Sequence, residues 1–195
     1  MSTPLNCHLE YHPNFLSKQE AQALYREIYQ DYQIAELTKQ QVGNQTFTLP
    51  HGKLMFIDQQ LQETGAFPEE QWGRSVVWSE RMREVKERVA GWTGIDFGVC
   101  VCIYYPNGQT GVDFHSDFQA FGDTSFIPSL SLGEERNFLL REKSTQRVHE
   151  FFLEEGSMLI MGEHCQERYE HSLPIDPSYK NGRINLTFRQ YGFGQ

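Results

Sequence analysis

The sequence lacks the features that mark membrane, secreted or disulfide-rich proteins. No apolar run approaches the about 20 residues that a membrane-spanning helix needs, so we expect no membrane association. The segment Met1 to Glu10 has neither a basic start nor an apolar stretch and does not resemble a secretory signal. The four cysteines, Cys7, Cys100, Cys102 and Cys165, form no C-x-x-C pair. This predicts free thiols in a reducing compartment, the cytoplasm or, in a eukaryote, the nucleus.

Positive charge is also scarce. The chain has 17 Lys and Arg against 26 Asp and Glu, a net charge of −9, which argues against unspecific adhesion to nucleic acid or to anionic membranes. With 195 residues, 13% of them aromatic and 22% charged, the composition is typical of one folded domain and not of a disordered chain. We expect a monomer by default, because nothing in the composition addresses the oligomeric state.

Two amphipathic helices are predicted in the N-terminal half. Residues 17–20 have the capping-box pattern Ser-x-x-Glu, which predicts a helix over about 18–32. A second helix begins near Trp78 and can end at Gly91 or Gly94. The apolar faces, which we expect to pack on the core, consist of Ala21, Leu24, Ile28 and Tyr32 in the first helix and Trp78, Met82, Val85 and Val89 in the second.

After Gly94 the pattern becomes that of a β protein. Short β-rich runs follow one another, separated by turn residues and with no helix between them. This predicts an α+β fold, in which an antiparallel sandwich or jelly roll carries the N-terminal helices on one face. The predicted strands are Val99–Tyr105, Gly111–His115, Phe126–Leu132, Asn137–Arg141, Val148–Leu153, Ser157–Met161 and Arg183–Gln190.

A candidate metal site lies at the end of one short strand. His115 and Asp117 share a face of an extended segment, and His171 follows later in the chain. Two imidazoles and one carboxylate form the ligand set that holds Fe(II) with open positions. The H-x-D pattern alone is weak, because it occurs by chance in about one such chain in four. The alternative is a surface histidine beside a turn aspartate.

The last predicted strand presents two arginines on one face. Arg183, Asn185, Thr187 and Arg189 alternate with Ile184, Leu186 and Phe188. The two arginine Cα atoms lie about 20 Å apart on an extended strand, which leaves room for a small dicarboxylate between the guanidinium groups. The alternative is a polar outer face paired with surface glutamates.

Taken together, these blocks resemble the AlkB family of Fe(II)/2-oxoglutarate-dependent dioxygenases, and most nearly its nucleobase demethylases of the AlkB-homologue-2 type. The resemblance covers about residues 49–191, in order and with compatible spacing. Its blocks are His115-x-Asp117, Ile127–Gly133 with Arg136 and Phe138, Gly156–Gly162, His171–Pro174 and Arg183–Arg189.

The resemblance implies a double-stranded β-helix, or jelly roll, that uses Fe(II), 2-oxoglutarate and O2. It implies oxidative demethylation of N-alkylated nucleobases in DNA or RNA, in which the alkyl group leaves as an aldehyde. Residues 1–48 would form an N-terminal extension with a helix. Residues 49–195 would form the dioxygenase domain with its substrate lid, and we expect the two parts to make one compact domain.

The resemblance also implies roles for individual residues. His115, Asp117 and His171 would bind iron. Arg183 would bind the distal carboxylate of oxoglutarate, Arg189 the carboxylate near the metal, and Thr187 would shape that pocket. The hydroxyl group of Tyr105 would contact oxoglutarate, and the alternative for Tyr105 is a structural aromatic in the barrel wall.

Three positions depart from the family pattern. Ile103 stands where the family has an asparagine that binds oxoglutarate, a loss of about 1–2 kcal/mol, so we expect Ile103→Asn to tighten cosubstrate binding. Gln119 stands where the family has an acid that contacts the damaged base. His51, after Pro50, replaces an arginine near the lid.

Substrate-binding residues are predicted in two segments. His51, Met55, Phe56 and Trp72 are lid or base-stacking candidates, although packing is the alternative for Trp72 and for Phe67. A predicted basic loop with Arg136, Arg141, Lys143 and Arg147 would face the phosphate backbone, or would simply be a solvated face.

Two other functions remain open at the level of sequence. Ile103, Gln119 and the net charge of −9 favour the same oxygenase chemistry on a protein side chain or a small molecule. A jelly roll that binds a metal without turnover is the third hypothesis, and the complete ligand set argues against it.

Overall fold

The computed structural model describes residues 5–42, 45–120 and 122–192. The strands are β1 (Leu9–His12), β2 (Leu37–Val42), β3 (Gln45–Ile57), β4 (Ser75–Val77), β5 (Val99–Tyr105), β6 (Val112–His115), β7 (Ile127–Gly133), β8 (Arg136–Glu142), β9 (Val148–Leu153), β10 (Met158–Met161), β11 (Tyr169–Leu173) and β12 (Arg183–Arg189). The helices are α1 (Lys18–Arg26), a π-helical turn (Glu27–Asp31), α2 (Gln59–Glu63), α3 (Glu69–Trp72), α4 (Glu80–Thr93) and α5 (Cys165–Arg168).

The strands form two sheets. The major sheet has the order β1-β10-β7-β12-β5-β3-β2, and β4 pairs with β3 in parallel. The minor sheet has the order β6-β11-β8-β9. All other pairings are antiparallel, and neighbours in space are mostly distant in sequence, as in a jelly roll. The predicted α+β jelly-roll fold is confirmed.

Both predicted helices are confirmed, and each has a clear terminal signal. The Ser17 hydroxyl accepts a hydrogen bond from the Glu20 amide at 3.3 Å, and the Glu20 carboxylate accepts one from the Ser17 amide at 2.8 Å. This capping box starts α1, and the π-helical turn extends the helical segment to Asp31. Gly94, in the left-handed conformation with φ +72°, ends α4.

The core lies between these helices and one face of the major sheet. It contains Leu24 and Ile28 from the first helical segment, Met82, Val85 and Val89 from α4, and Leu54, Phe56, Cys102, Leu130, Ile184, Leu186 and Phe188 from the sheet. The helices cover this face, as predicted, so the opposite face of the major sheet is left to form the wall of a cavity. Among the helices of the described residues, none is both long and apolar enough to cross a membrane.

The strand bounds differ from the prediction mainly in the N-terminal half. The seven predicted strands are present within one residue or so of their predicted ends. Arg136–Glu142, predicted in part as a basic loop, is strand β8. The strands β1 to β4 and β11, which carries His171, were not predicted, and the short helix α5 contradicts the expectation of no helix between the later strands. The longest of these strands, β3, begins with an exposed half and contains Pro50, so it lacks a clear strand pattern.

Candidate active site

A cavity of about 350 Å³ lies between the two sheets. The major sheet contributes one wall, and the minor sheet contributes His115, Phe138, His171 and Leu173 from the opposite side. The wall from the major sheet consists of Leu49, His51 and Lys53 on β3, Val101, Ile103 and Tyr105 on β5, Ser129 on β7, Met161 on β10, and Arg183, Asn185, Thr187 and Arg189 on β12.

The three candidate metal ligands meet at one end of this cavity. His171 on β11 lies directly opposite His115 on β6, and Asp117 follows two residues after β6 ends. One potential ligand atom of each residue lies within 4.8 Å of the others. The two imidazole rings are 4.3 Å apart between centroids, and His171 Nε2 is 3.8 Å from Asp117 Oδ2. The fold therefore brings the predicted triad together.

Asp117 is held on two sides and leaves one oxygen for a cation. Its Oδ1 accepts a hydrogen bond from the Arg189 guanidinium at 2.8 Å, and its amide donates to the Gln166 side-chain oxygen at 2.8 Å. Burial alone would raise the pKa of Asp117, but the Arg189 charge, assisted by His171, lowers it below its usual value. The buried Oδ2 has no hydrogen-bond partner among the described residues. An ionised carboxylate with one buried oxygen unsatisfied suits a metal ion.

His171 is in the protonation state that a metal requires. It is buried against Phe138, with 5.5 Å between ring centroids, and this burial lowers its pKa to about 4. The imidazole is therefore neutral at pH 7 and can donate a nitrogen lone pair. Two imidazoles and a carboxylate on one side of an ion form the donor set preferred by non-haem Fe(II), so the residues fit iron.

The other end of the cavity is built to receive an anion. Arg183 is 2% exposed, and its guanidinium donates to Ser131 Oγ at 3.0 Å and to Asn185 Oδ1 at 3.2 Å. Burial lowers the pKa of Arg183 to about 10, so the side chain stays cationic at neutral pH. Its buried Nε has no hydrogen-bond partner among the described residues. With the ring centroid of Tyr105 at 6.0 Å from its guanidinium, Arg183 fits the distal carboxylate of oxoglutarate.

Of the residues predicted to contact substrate, His51 lies in the cavity, whereas Met55 and Phe56 do not. The His51 ring is 6.0 Å from that of Tyr105. Phe56 is fully buried on the opposite face of the sheet, stacked 6.1 Å from Trp78. Met55 is fully buried in a separate apolar cluster with Ile57, Phe67 and Val99. The prediction that Met55 and Phe56 contact substrate is therefore wrong, because both side chains are packed in the protein interior.

Trp72 and Gln119 also lie outside the cavity. Trp72 packs edge-on against Phe67 at 5.8 Å and belongs to the same apolar cluster, so packing, the alternative considered for both aromatics, is what the structure has. Gln119 is exposed and lines a neighbouring depression with Asp123 and Glu163. That depression shares Asp117 with the cavity, so Gln119 lies beside the metal site.

Arg136 does not belong to the predicted phosphate-facing surface, and Arg141 remains partly exposed with its charge paired. Arg136 is 1% exposed, and its guanidinium donates to three backbone carbonyls, at 3.4 Å to Asn107, 3.0 Å to Thr110 and 2.7 Å to Pro174. It also lies 5.9 Å from the ring of Tyr105. Arg141 is ion-paired with Glu170 at 2.6 Å, and its guanidinium lies 3.9 Å from the ring centroid of Phe114. Arg136 therefore supports the cavity wall from behind.

We expect Arg136→Met to lower the free energy of unfolding by about 2–4 kcal/mol, because three buried carbonyls lose a charged donor. The exposed Arg83 on α4 is the matched control, and Arg83→Met should change stability by less than about 0.5 kcal/mol. Urea unfolding followed by circular dichroism measures both. Equal stability of the two variants would contradict the structural role of Arg136.

Several residues of the site were missed at the level of sequence. Lys53 lines the cavity, and the alternation of His51 and Lys53 along an extended segment was a signal for it. Gln166 holds the Asp117 amide from α5, a contact between segments far apart in the chain that no local pattern predicts. Phe138, although part of a recognised block, was given no role, and here it covers the His171 ring.

Comparisons with known proteins agree with this geometry. The profile of the 2OG-Fe(II) oxygenase superfamily matches residues 8–189. Human alpha-ketoglutarate-dependent dioxygenase alkB homolog 3 is 32% identical over 122 residues, which are 57% of this chain and 43% of the relative. Mouse DNA oxidative demethylase ALKBH2 is 29% identical over 187 residues, 89% of this chain and 76% of the relative. The chain thus spans less than half the length of human alkB homolog 3.

Solved structures support the fold. The structure of OsALKBH1 superimposes with a TM-score of 0.59 at 15% identity and covers 96% of this chain and 100% of that one. A Pseudomonas putida prolyl-4-hydroxylase superimposes with a TM-score of 0.55 at 16% identity and covers 96% of this chain and 95% of that one. With the profile match over most of its length, this chain belongs to the 2OG-Fe(II) oxygenase superfamily.

Proposed function

We propose that this chain is a dioxygenase that uses Fe(II), 2-oxoglutarate and O2 and that oxidatively demethylates N-alkylated nucleobases in DNA or RNA. The observation that carries the proposal is the His115, Asp117 and His171 cluster facing Arg183 across one cavity, in a chain whose curated relatives include a DNA oxidative demethylase. Iron, oxoglutarate and O2 supply the oxidation of the alkyl C–H bond when bound. The chain's own residues hold these groups and orient the substrate.

The residue after the metal ligand Asp117 has a side chain suited to a flipped base. Phe118, directly after the metal ligand Asp117, is 82% exposed, which is unusual for a phenylalanine. Enzymes that act on a base take it out of the stack and hold it against aromatic side chains. An exposed ring adjacent in the chain to a metal ligand would place a stacked, extruded base close to the iron. Phe118 is therefore our candidate for base stacking.

A second candidate function is the same oxygenase chemistry on a protein side chain or a small molecule. Arg136 is buried, and the charge of Arg141 is paired with Glu170. The predicted basic surface that would bind phosphates is therefore reduced, in a chain whose net charge is −9. These observations favour a substrate without a phosphate backbone.

We expect formaldehyde release from methylated oligonucleotides, with a matching yield of succinate and a decline as salt is raised. Base stacking contributes about 1–3 kcal/mol, so Phe118→Ala should lower kcat/KM by about fivefold or more. Phe152, 49% exposed on β9, is the matched control, and Phe152→Ala should keep the activity.

The succinate measurement separates the two functions. Succinate formed without formaldehyde from any methylated oligonucleotide would contradict the nucleobase proposal and favour the second candidate. Equal losses in Phe118→Ala and Phe152→Ala would contradict the role of Phe118.

A further inference from the structure

Two of the four cysteines meet at the β1 edge of the major sheet. Cys7 lies just before β1, and Cys165, the first residue of α5, is 158 positions further along the chain. The Sγ atom of Cys165 is 3.0 Å from that of Cys7 and 3.2 Å from the carbonyl oxygen of His8. Cys165 is 2% exposed, whereas Cys7 is half-buried. Two free thiols from distant segments are thus in direct contact, and one of them is accessible to solvent.

Backbone hydrogen bonds on both sides of the two cysteines fix this contact. The His8 amide donates to the Glu163 carbonyl at 2.9 Å, and the Gly162 amide donates to the His8 carbonyl at 2.8 Å. The Arg168 guanidinium donates to the Asn6 carbonyl at 2.7 Å. The segment before β1 is thereby held against α5 and against the turn that precedes it. The meeting of the sulfur atoms is therefore a feature of the fold.

The two thiols differ in their readiness to ionise. The hydrogen bond that Cys165 donates lowers the pKa of Cys7, and the charge of Arg168 adds to this effect against the opposing effect of burial. The same hydrogen bond and burial raise the pKa of Cys165. The thiolate is the form of cysteine that attacks a disulfide. Cys7 is therefore suited to be the attacking thiol, and Cys165 to be the thiol that resolves the mixed disulfide.

The helix that begins at Cys165 also supports the metal site. Gln166, the next residue of α5, accepts a hydrogen bond from the Asp117 amide at 2.8 Å through its side-chain oxygen. Its side-chain nitrogen lies 3.6 Å from the sulfur of Met161, which lines the cavity. One residue of α5 thus contacts Cys7, and its neighbour contacts a metal ligand. A covalent bond that fastens α5 at Cys165 also holds the support of Asp117 in place.

We propose that Cys7 and Cys165 are a redox-active pair, which closes to a disulfide by exchange with a low-molecular-weight disulfide of the glutathione class and so fastens α5 at the metal site. In the reducing compartment predicted from the sequence the pair is open, and it closes when the thiol pool becomes oxidised. The link to the metal site rests on the proposed function, whereas the chemistry of the pair does not.

The exchange takes place in two balanced steps. The Cys7 thiolate attacks one sulfur of the oxidant, whose S–S bond breaks, and one glutathione thiolate leaves. Cys165 then gives up its proton and attacks the Cys7 sulfur, and the second glutathione leaves as the mixed disulfide breaks. Two protein thiols are oxidised to one disulfide, one glutathione disulfide is reduced, and the protons end on the two glutathione thiols.

The test compares the full-length, Fe(II)-loaded protein after anaerobic equilibration with reduced or with oxidised glutathione, which is then removed. After oxidation we expect the mass to fall by two hydrogen atoms and a digest to contain one peptide that joins Cys7 to Cys165. The midpoint of thermal unfolding should rise by about 5 °C or more, because the cross-link closes a loop of most of the chain. A chelator should remove Fe(II) about threefold more slowly, because α5 opens less often.

Two single variants identify the thiols. Cys7→Ser, a nearly isosteric change at a half-buried position, should fold as well as the unmodified chain and show none of the three responses to oxidation. Cys102→Ala is the matched control, since Cys102 is fully buried in the core, and it should retain all three responses. A dithiol reductant should restore the original mass, unfolding midpoint and iron release of the oxidised protein.

Three results would overturn the proposal. The first is a chain that keeps all its thiols, or that carries glutathione on Cys7 without closing the bond to Cys165. The second is a response of Cys7→Ser equal to that of the unmodified chain. The third, equal iron release in the two redox states, would overturn the link to the metal site. The mass and unfolding measurements can be repeated without iron, so the failure of this inference and that of the proposed function are distinguishable.

Discussion

Asp117→Asn is expected to weaken Fe(II) binding by at least about 100-fold and to abolish succinate formation, because the neutral amide cannot replace an anionic ligand. The carboxylate is the only acidic group in the described part of the metal cluster. Its Oδ1 also pairs with Arg189, so the substitution leaves a buried guanidinium without its counter-ion. The lost negative charge and the unpaired guanidinium both disfavour binding of the Fe(II) cation at this place.

Asp113→Asn is the matched control for that substitution. Asp113 is exposed on β6, two residues before His115, and its contact with the His115 ring is made by its backbone carbonyl at 2.8 Å, which the substitution keeps. Iron content after gel filtration and succinate yield in air measure both variants. Retention of iron by Asp117→Asn at the level of Asp113→Asn would show that the cluster is not the metal site.

Strand β12 was predictable because its polar and apolar residues alternate strictly, in agreement with the burial of its two faces. Ile184, Leu186 and Phe188 are fully buried in the core, and the alternate residues line the cavity. Such strict alternation identifies both faces of a strand and its register. The second half of β3 has no such strict alternation of polar and apolar residues, since Gly52 interrupts it. A Cβ at that position would lie 1.6 Å from the Ile34 carbonyl oxygen, so a tertiary contact requires this glycine.

The structure brings His115, Asp117 and His171 and the two arginines of β12 to one cavity, as their motifs predicted, whereas several predicted substrate residues lie outside it. Arg136 stands in a segment rich in charge, which predicts a solvated loop. Its guanidinium is buried instead, because Asn107, Thr110 and Pro174 direct their carbonyls at it from loops that are distant in sequence. Met55 and Phe56 show the same limit, since the partners that bury them come from other segments.

Arg183→Met is expected to raise the Kd for 2-oxoglutarate by about 100-fold or more while iron stays bound. Arg183 is a buried cation at the end of the cavity remote from the metal ligands, and replacing it removes a charge-assisted, bidentate donor of the kind that Arg forms with carboxylates. Arg141→Met, at a partly exposed ion pair on β8, is the matched control and should leave the Kd unchanged. Anaerobic titration gives the Kd, and iron content separates this variant from Asp117→Asn, which is expected to lose the metal itself.

If Arg183→Met lost iron as well, the two ends of the cavity would not act independently. If it bound oxoglutarate normally, Arg183 would be a structural residue that orders Ser131 and Asn185.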